Sequence, residues 1–261
     1  MNAPATARAA VLAVLEQARA EAAAAGLPLL LNLYCCQGGS AAGYSPQFHV
    51  VGVDLSPQPR YPFTFIQADV LWLLAEFAGW IREHVAFIDA SPPCQRYSRA
   101  QKIQRREHPD LIGPTRDLIA ATGLPYVIEN VEEARGELLS PVLLCAAAFG
   151  LRTYRHRLFE TGGWTLVAPQ HPEHVHRTVK MGRPLKPGDW YHAVGNFSNV
   201  PYVRADMGVP WMNRDGIREC IPPAMTRFLA RQFLGLDPAP EATASRGQMA
   251  FDDLPDPAVA R

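Results

Sequence analysis

The hydrophobic pattern alternates between two periods along the first half of the chain. Residues 6–25 are rich in Ala, Leu, Glu and Arg and predict a helix that ends at Gly26 and Pro28. Leu29-Leu30-Leu31-Asn32-Leu33-Tyr34 is a nearly continuous apolar run, the mark of a strand buried on both faces. The small residues Gly38-Gly39-Ser40-Ala41-Ala42-Gly43 then predict a tight turn and a helix start. Further strands are predicted at 50–55, 63–69, 85–90 and 125–130, and helices at 71–83, 114–122 and, amphipathic again, 223–234. Strands that alternate with helices imply an α/β fold, a mainly parallel, Rossmann-like sheet with helices on both faces.

Such sheets bind ligands beyond the carboxyl ends of their strands. Asn32, Asp54, Asp69, Asp89 and Glu129 close the predicted strands, so all five are expected on one rim. After Phe159 the periodicity fades. Residues 161–206 hold many Pro, Gly and His and predict an irregular insert or small lobe. The expected layout is a main domain of residues 1–160 with 207–236, the insert between them, and a mobile tail at 237–261 rich in Pro, Ala and Asp.

Composition narrows the picture. Hydrophobic residues are 48% and charged residues 19% of the 261, a globular balance. Formal net charge is zero, so a nucleic-acid partner would need a local basic face. No run of about 18 apolar residues is present, which excludes a membrane-spanning helix. The start, Met1-Asn2-Ala3-Pro4, lacks a basic and apolar leader, so a cytoplasmic location is expected. Five cysteines without Cys-x-x-Cys spacing fit a reduced chain with free thiols.

Among those thiols Cys94 stands apart. Pro92 and Pro93 stiffen the turn before it, because each proline fixes its φ. Arg96, Arg99, Lys102, Arg105 and Arg106 follow and would favour a thiolate. Cys35, Cys36, Cys145 and Cys220 read as small buried hydrophobes. Glu129 ends a strand, where a carboxyl can share a proton with a heterocyclic base or cap the next helix. Arg155 and Arg157 point to one side of an extended segment, either as a fork for a carbonyl or phosphate or as a solvated pair. His171, His174 and His176 raise a zinc site as one reading. No Cys pair lies near them in sequence, and no metal is expected.

Taken together these residues resemble the DNA cytosine-5 methyltransferase family, in a compact, phage-like form, over roughly residues 29 to 234. Asp89-Ala90-Ser91-Pro92-Pro93-Cys94-Gln95 is similar to the family's Pro-Cys nucleophile loop, and Glu129-Asn130-Val131 matches its Glu-Asn-Val motif. Arg155-x-Arg157 resembles its Gln-x-Arg-x-Arg motif. Asn32-Leu33-Tyr34-Cys35-Cys36-Gln37-Gly38-Gly39 resembles its cofactor loop, and Ile221-Pro222-Pro223 its closing motif. The resemblance implies a class I S-adenosylmethionine-dependent methyltransferase sheet with a small target-recognition insert at 161–206. It implies Cys94 adding to carbon 6 of a flipped cytosine in double-stranded DNA, Glu129 holding ring nitrogen 3, and Arg155 and Arg157 at the base carbonyl or orienting the loop. It implies S-adenosylmethionine over Asn32, Tyr34, Gly38 and Gly39, with Asp54 and Leu55 at the ribose and Asp69 and Val70 near the adenine. Pro92 and Glu219 complete that contact set. Gln95, Arg96, Ser98, Arg99, Arg177, Lys180 and Arg183 would meet DNA.

The chain departs from the family at four places. Asn32 replaces an Asp, Cys36 a loop Gly, Thr153 the Gln before the arginines, and Arg218-Glu219 a Gly-Asn. Three of these, at 32, 36 and 219, surround the expected methionine end of the cofactor. That keeps open a carboxylated sulfonium cofactor, a pyrimidine-nucleotide modifier, and a non-catalytic DNA-binding homologue. In the tail, Gln248-Met249-Ala250-Phe251 resembles peptides that dock into the replication sliding clamp, a second expected partner.

Overall fold

The computed structural model describes residues 5–94, 109–179, 183–186 and 188–236. Helix α1 (Ala5–Ala25) precedes β1 (Leu29–Leu33), α2 (Gly39–Tyr44), β2 (His49–Asp54), β3 (Thr64–Gln67), α3 (Val70–Glu76), α4 (Ala78–His84) and β4 (Phe87–Ala90). Next come α5 (Ile112–Thr122), β5 (Tyr126–Asn130), β6 (Val142–Cys145) and β7 (His156–Gly162). The sheet order is β3-β2-β1-β4-β5-β7-β6. Strands β1 to β5 pair in parallel, and β7 runs antiparallel to both β5 and β6. This is the expected Rossmann-like α/β sheet, mainly parallel. The chain order reverses between β1 and β4, the switch point where such sheets hold ligands.

Side-chain alternation splits the core in two. Leu29, Leu31, Leu33, Ile88, Ala90, Tyr126 and Ile128 face one layer, with α1, α3, α4 and α5. Leu30, Phe87 and Val127 face the other, closed by α2 and α8 (Pro223–Phe233). The two layers explain why the strands read as unbroken apolar runs. The predicted helix 71–83 is two helices. Phe77 leaves helical backbone at φ −108°, ψ 17° and buries its ring edge-on against Trp72.

The insert has more order than its composition suggested. Its first two residues, Thr161 and Gly162, end β7. Beyond them, β8 (Thr178–Val179) and β9 (Trp190–Tyr191) form a short parallel pair, and α6 (Val200–Met207) packs on them. Their apolar cluster takes in Val209, Met212, Ile217 and Cys220, past residue 206 and through α7 (Arg214–Glu219). Among the described residues, no helix is long and apolar enough to cross a membrane.

Candidate active site

The loop after β1 has an unusual backbone. Tyr34 (φ 57°), Cys36 (φ 48°) and Gly38 (φ 82°) are all left-handed. A non-glycine residue there is strained by about 1–3 kcal/mol. Cys36 thus takes a backbone conformation that favours glycine. Two contacts hold it: its amide donates to Asp54 Oδ2 (3.0 Å) and its thiol to Glu219 Oε2 (2.8 Å). Asp54 Oδ1 accepts from the Ser56 amide (2.9 Å), which fixes the carboxylate at the end of β2. At Gly39 a Cβ would stand 2.3 Å from Cys220 Sγ and 2.8 Å from Ile221 O, so only glycine fits.

The rim beyond β2 and β3 carries an apolar face beside its carboxylates. Leu55 is 67% exposed next to Asp54. Asp69 caps α3 by accepting from the Trp72 amide (2.8 Å), and Val70 is buried behind it. Tyr34 and Thr115 share a hydroxyl hydrogen bond of 2.7 Å.

Two of the five expected rim residues lie elsewhere. Asn32 and Asp89 are register partners on β1 and β4 that face α2, and they are 1% and 0% exposed. Asn32 Nδ2 and Ser40 Oγ both donate to Asp89 Oδ2, at 2.6 and 2.5 Å, and the Tyr44 hydroxyl donates to Oδ1 at 3.3 Å. Tyr61 donates to Asn32 Oδ1 (3.4 Å). The Asn32 side chain therefore braces the loop from beneath and does not open onto the rim where it was expected. Burial pushes the Asp89 carboxyl up to about 7, against the pull of the Ser40 hydrogen bond.

Cys94 closes the Pro-Pro turn at the mouth of β4. Asn130 Nδ2 donates to Pro92 O (2.9 Å) and ties that turn to the end of β5. Glu129, one residue earlier and 6% exposed, lies 2.8 Å from Arg157 Nε through its Oε1. Burial raises the Glu129 carboxyl above its ordinary value, and Arg157 opposes the shift. Burial and the Glu129 charge likewise raise the Cys94 thiol, and Arg157 again opposes. These three side chains form one electrostatic unit.

Arg155 and Arg157 share a side of the chain, as expected, but do different work. The buried Arg155 guanidinium donates to Arg218 O (3.1 Å), Cys220 O (2.6 Å) and Ala193 O (2.9 Å). It is a strut between the sheet, the insert and the turn before α8, and reaches no open surface. Glu219 lies at the end of α7 against Cys36, within electrostatic range of Cys94.

Of the residues expected to meet DNA, Arg177 makes a two-pronged pair with Asp189 that braces β8 on β9. Arg183 is exposed. Gln95, Arg96, Ser98, Arg99, Lys180 and the whole tail lie outside the described residues. Local sequence could not signal the Asp89 partners Ser40 and Tyr44, nor Tyr61 on Asn32, since only the fold assembles them.

The sequence matches no family model and no curated protein. Solved structures similar to it include the S. pombe Dnmt2 methyltransferase, 14% identical with TM-score 0.48, covering 80% of this chain and 99% of that one. The Entamoeba histolytica methyltransferase EhMeth is 12% identical with TM-score 0.39, covering 52% of each chain. The Burkholderia thailandensis 1,6-didemethyltoxoflavin-N1-methyltransferase, solved with S-adenosylhomocysteine, is 20% identical with TM-score 0.33, covering 57% of this chain and 77% of that one.

Proposed function

We propose that the chain transfers a methyl group from S-adenosylmethionine to carbon 5 of cytosine in double-stranded DNA, through a covalent Cys94 adduct. The observation that carries this reading is the unit of Cys94, Glu129 and Arg157 at the mouths of β4 and β5.

The β1–α2 loop suits the cofactor by its donor set. Asp54 offers carboxylate oxygens to hydroxyls, and exposed Leu55 offers an apolar face to a flat ring. When bound there, the cofactor supplies an electrophilic methyl group on sulfur.

The protein's own groups do the rest. Cytosine is inert at carbon 5 until a nucleophile adds at carbon 6, and a thiolate at Cys94 can form that bond. A protonated Glu129 can donate to ring nitrogen 3 and accept from the exocyclic amine. Once neutral it ceases to oppose the thiolate, and Arg157 remains as the uncompensated charge beside Cys94. After transfer, a base takes the proton on carbon 5, the carbon 5–carbon 6 double bond re-forms, and the Cys94–carbon 6 bond breaks, which restores the thiolate. The base must leave the duplex to reach this pocket. Arg183, with Gln95, Arg96, Ser98, Arg99 and Lys180, would meet the strand. The tail motif at 248–254 would dock into the sliding clamp.

Duplex DNA carrying 5-fluorocytosine tests the reading. Denaturation-resistant adduct is expected with S-adenosylmethionine, and none with Cys94→Ser or without cofactor. No adduct on any sequence would favour a binding module. Modification of free deoxycytidine monophosphate would favour a nucleotide enzyme. Mass spectrometry of the product base distinguishes 5-methylcytosine from a carboxymethyl product, which would point to a carboxylated cofactor.

A further inference from the structure

On one face of the β6–β7 pair, four side chains converge that the proposed reaction does not use. Cys145 and His156 are direct register partners on these antiparallel strands. Their side chains therefore stand side by side. Beyond β7 the chain brings His171 and His174 onto the same spot. One ligating atom from each of the four lies within 4.8 Å of every other. Cys145 Sγ is 3.3 Å from His174 Nε2, and His156 Nε2 is 3.2 Å from His171 Nε2. With metal–nitrogen bonds of about 2.0–2.1 Å, a tetrahedral zinc site has nitrogen–nitrogen edges of about 3.3 Å. The His156–His171 spacing matches such an edge, the Cys145–His174 spacing is close to one, and all six pairs fall within 4.8 Å.

The surroundings set the donor atoms. His156 Nδ1 lies 2.8 Å from Glu132 Oε1. A carboxylate accepts only, so the proton sits on Nδ1 and the Nε2 lone pair faces the cluster. This carboxylate–histidine arrangement orients imidazole ligands at metal centres. One thiol and three imidazoles are the borderline-soft donors that suit zinc, and four protein ligands close the shell.

We infer that Cys145, His156, His171 and His174 bind one structural zinc ion. The ion would pin the first part of the insert to the sheet edge. His156 sits between Arg155 and Arg157 on the opposite side of the chain, so the same ion would steady the strand that presents Arg157 to Glu129. Sequence spacing hides the site. Two ligands come from strands paired across the sheet, and His176, the third histidine of the run, is not among them.

Full-length protein without a polyhistidine tag, grown with added zinc, should carry about one zinc per chain by elemental mass spectrometry. His171→Ala with His174→Ala should lower that content at least about tenfold, and Glu132→Gln should weaken affinity about 10–100-fold. Cobalt-loaded wild type should show tetrahedral ligand-field bands and a thiolate charge-transfer band, a readout that needs no variant to fold. A chelator should lower the Tm of wild type and leave the double variant unmoved. Substoichiometric zinc in wild type, or undiminished zinc in the double variant, would overturn the site. A cobalt spectrum without thiolate character would overturn it equally, leaving a hydrogen-bonded histidine cluster.

Discussion

Asp89 should make the protein less stable as pH rises from about 4 to about 7, and Asp89→Asn should remove that trend. Burial holds the carboxyl at about 7 in the folded chain against 3.8 for a free side chain. The folded state therefore keeps its proton through a window in which the unfolded state has lost it. Stability is greatest below the unfolded value and falls as pH rises to the folded one. Three pH units at 1.36 kcal/mol each bound the loss at about 4 kcal/mol. Glu129, also raised by burial, acts in the same direction. Asparagine suits this pocket. Its oxygen can take the place of Oδ2, where Asn32 and Ser40 donate, and its amide can face the Tyr44 hydroxyl, which then accepts. Urea unfolding across the pH series checks the claim. The variant should match wild type near pH 4 and exceed it by up to about 4 kcal/mol near pH 8. Parallel curves for the two proteins would refute it, because Asp89 would then titrate as it does in the unfolded chain.

Three further outcomes follow from single contacts. Glu160, fully buried, accepts from Arg116 Nε (2.6 Å) and Nη2 (2.7 Å), so Arg116→Ala should cost about 3–5 kcal/mol by leaving a buried charge unpaired; denaturant midpoints measure it. A Cβ on Gly43 would stand 1.9 Å from Thr226 Oγ1 and 2.3 Å from Pro223 O, so Gly43→Ala should force α2 off α8 and lower stability by about 1–3 kcal/mol in the same assay. Leu55→Glu changes an exposed side chain, so Tm should hold while S-adenosylmethionine affinity in calorimetry falls about tenfold; unchanged affinity would remove Leu55 from the cofactor site.

The parallel half of the fold was legible because its strands are covered on both faces and read as apolar runs. The antiparallel pair was not. Strand β6 has four residues, half-buried at its start, and β7 mixes His, Arg, Glu and Thr among its apolar positions because its two faces meet different neighbours. Rim placement followed strand ends correctly for Asp54, Asp69 and Glu129. It failed for Asn32 and Asp89 because a residue near a strand's end belongs to a face before it belongs to a rim, and these two face α2.

The departures from the family pattern look separate in sequence, yet two of them touch. Cys36 and Glu219 are 183 residues apart and share a 2.8 Å hydrogen bond. Cys36 occupies the backbone conformation a glycine would take, and the replacement at 219 supplies the acceptor that holds it there. A loop decaying for want of function would have no reason to keep a left-handed backbone at a residue that resists it, nor a distant partner to secure it. The neighbouring groups are equally well placed: Asp54 is fixed by two amides, and Arg155 spends its donors on three carbonyls around the turn before α8. The altered loop is thus a rebuilt one, with its strain offset by specific contacts. On the proposed reading, that favours a working enzyme over a binding module that has lost its cofactor, with Glu219, whose charge reaches Cys94, as the support of the loop.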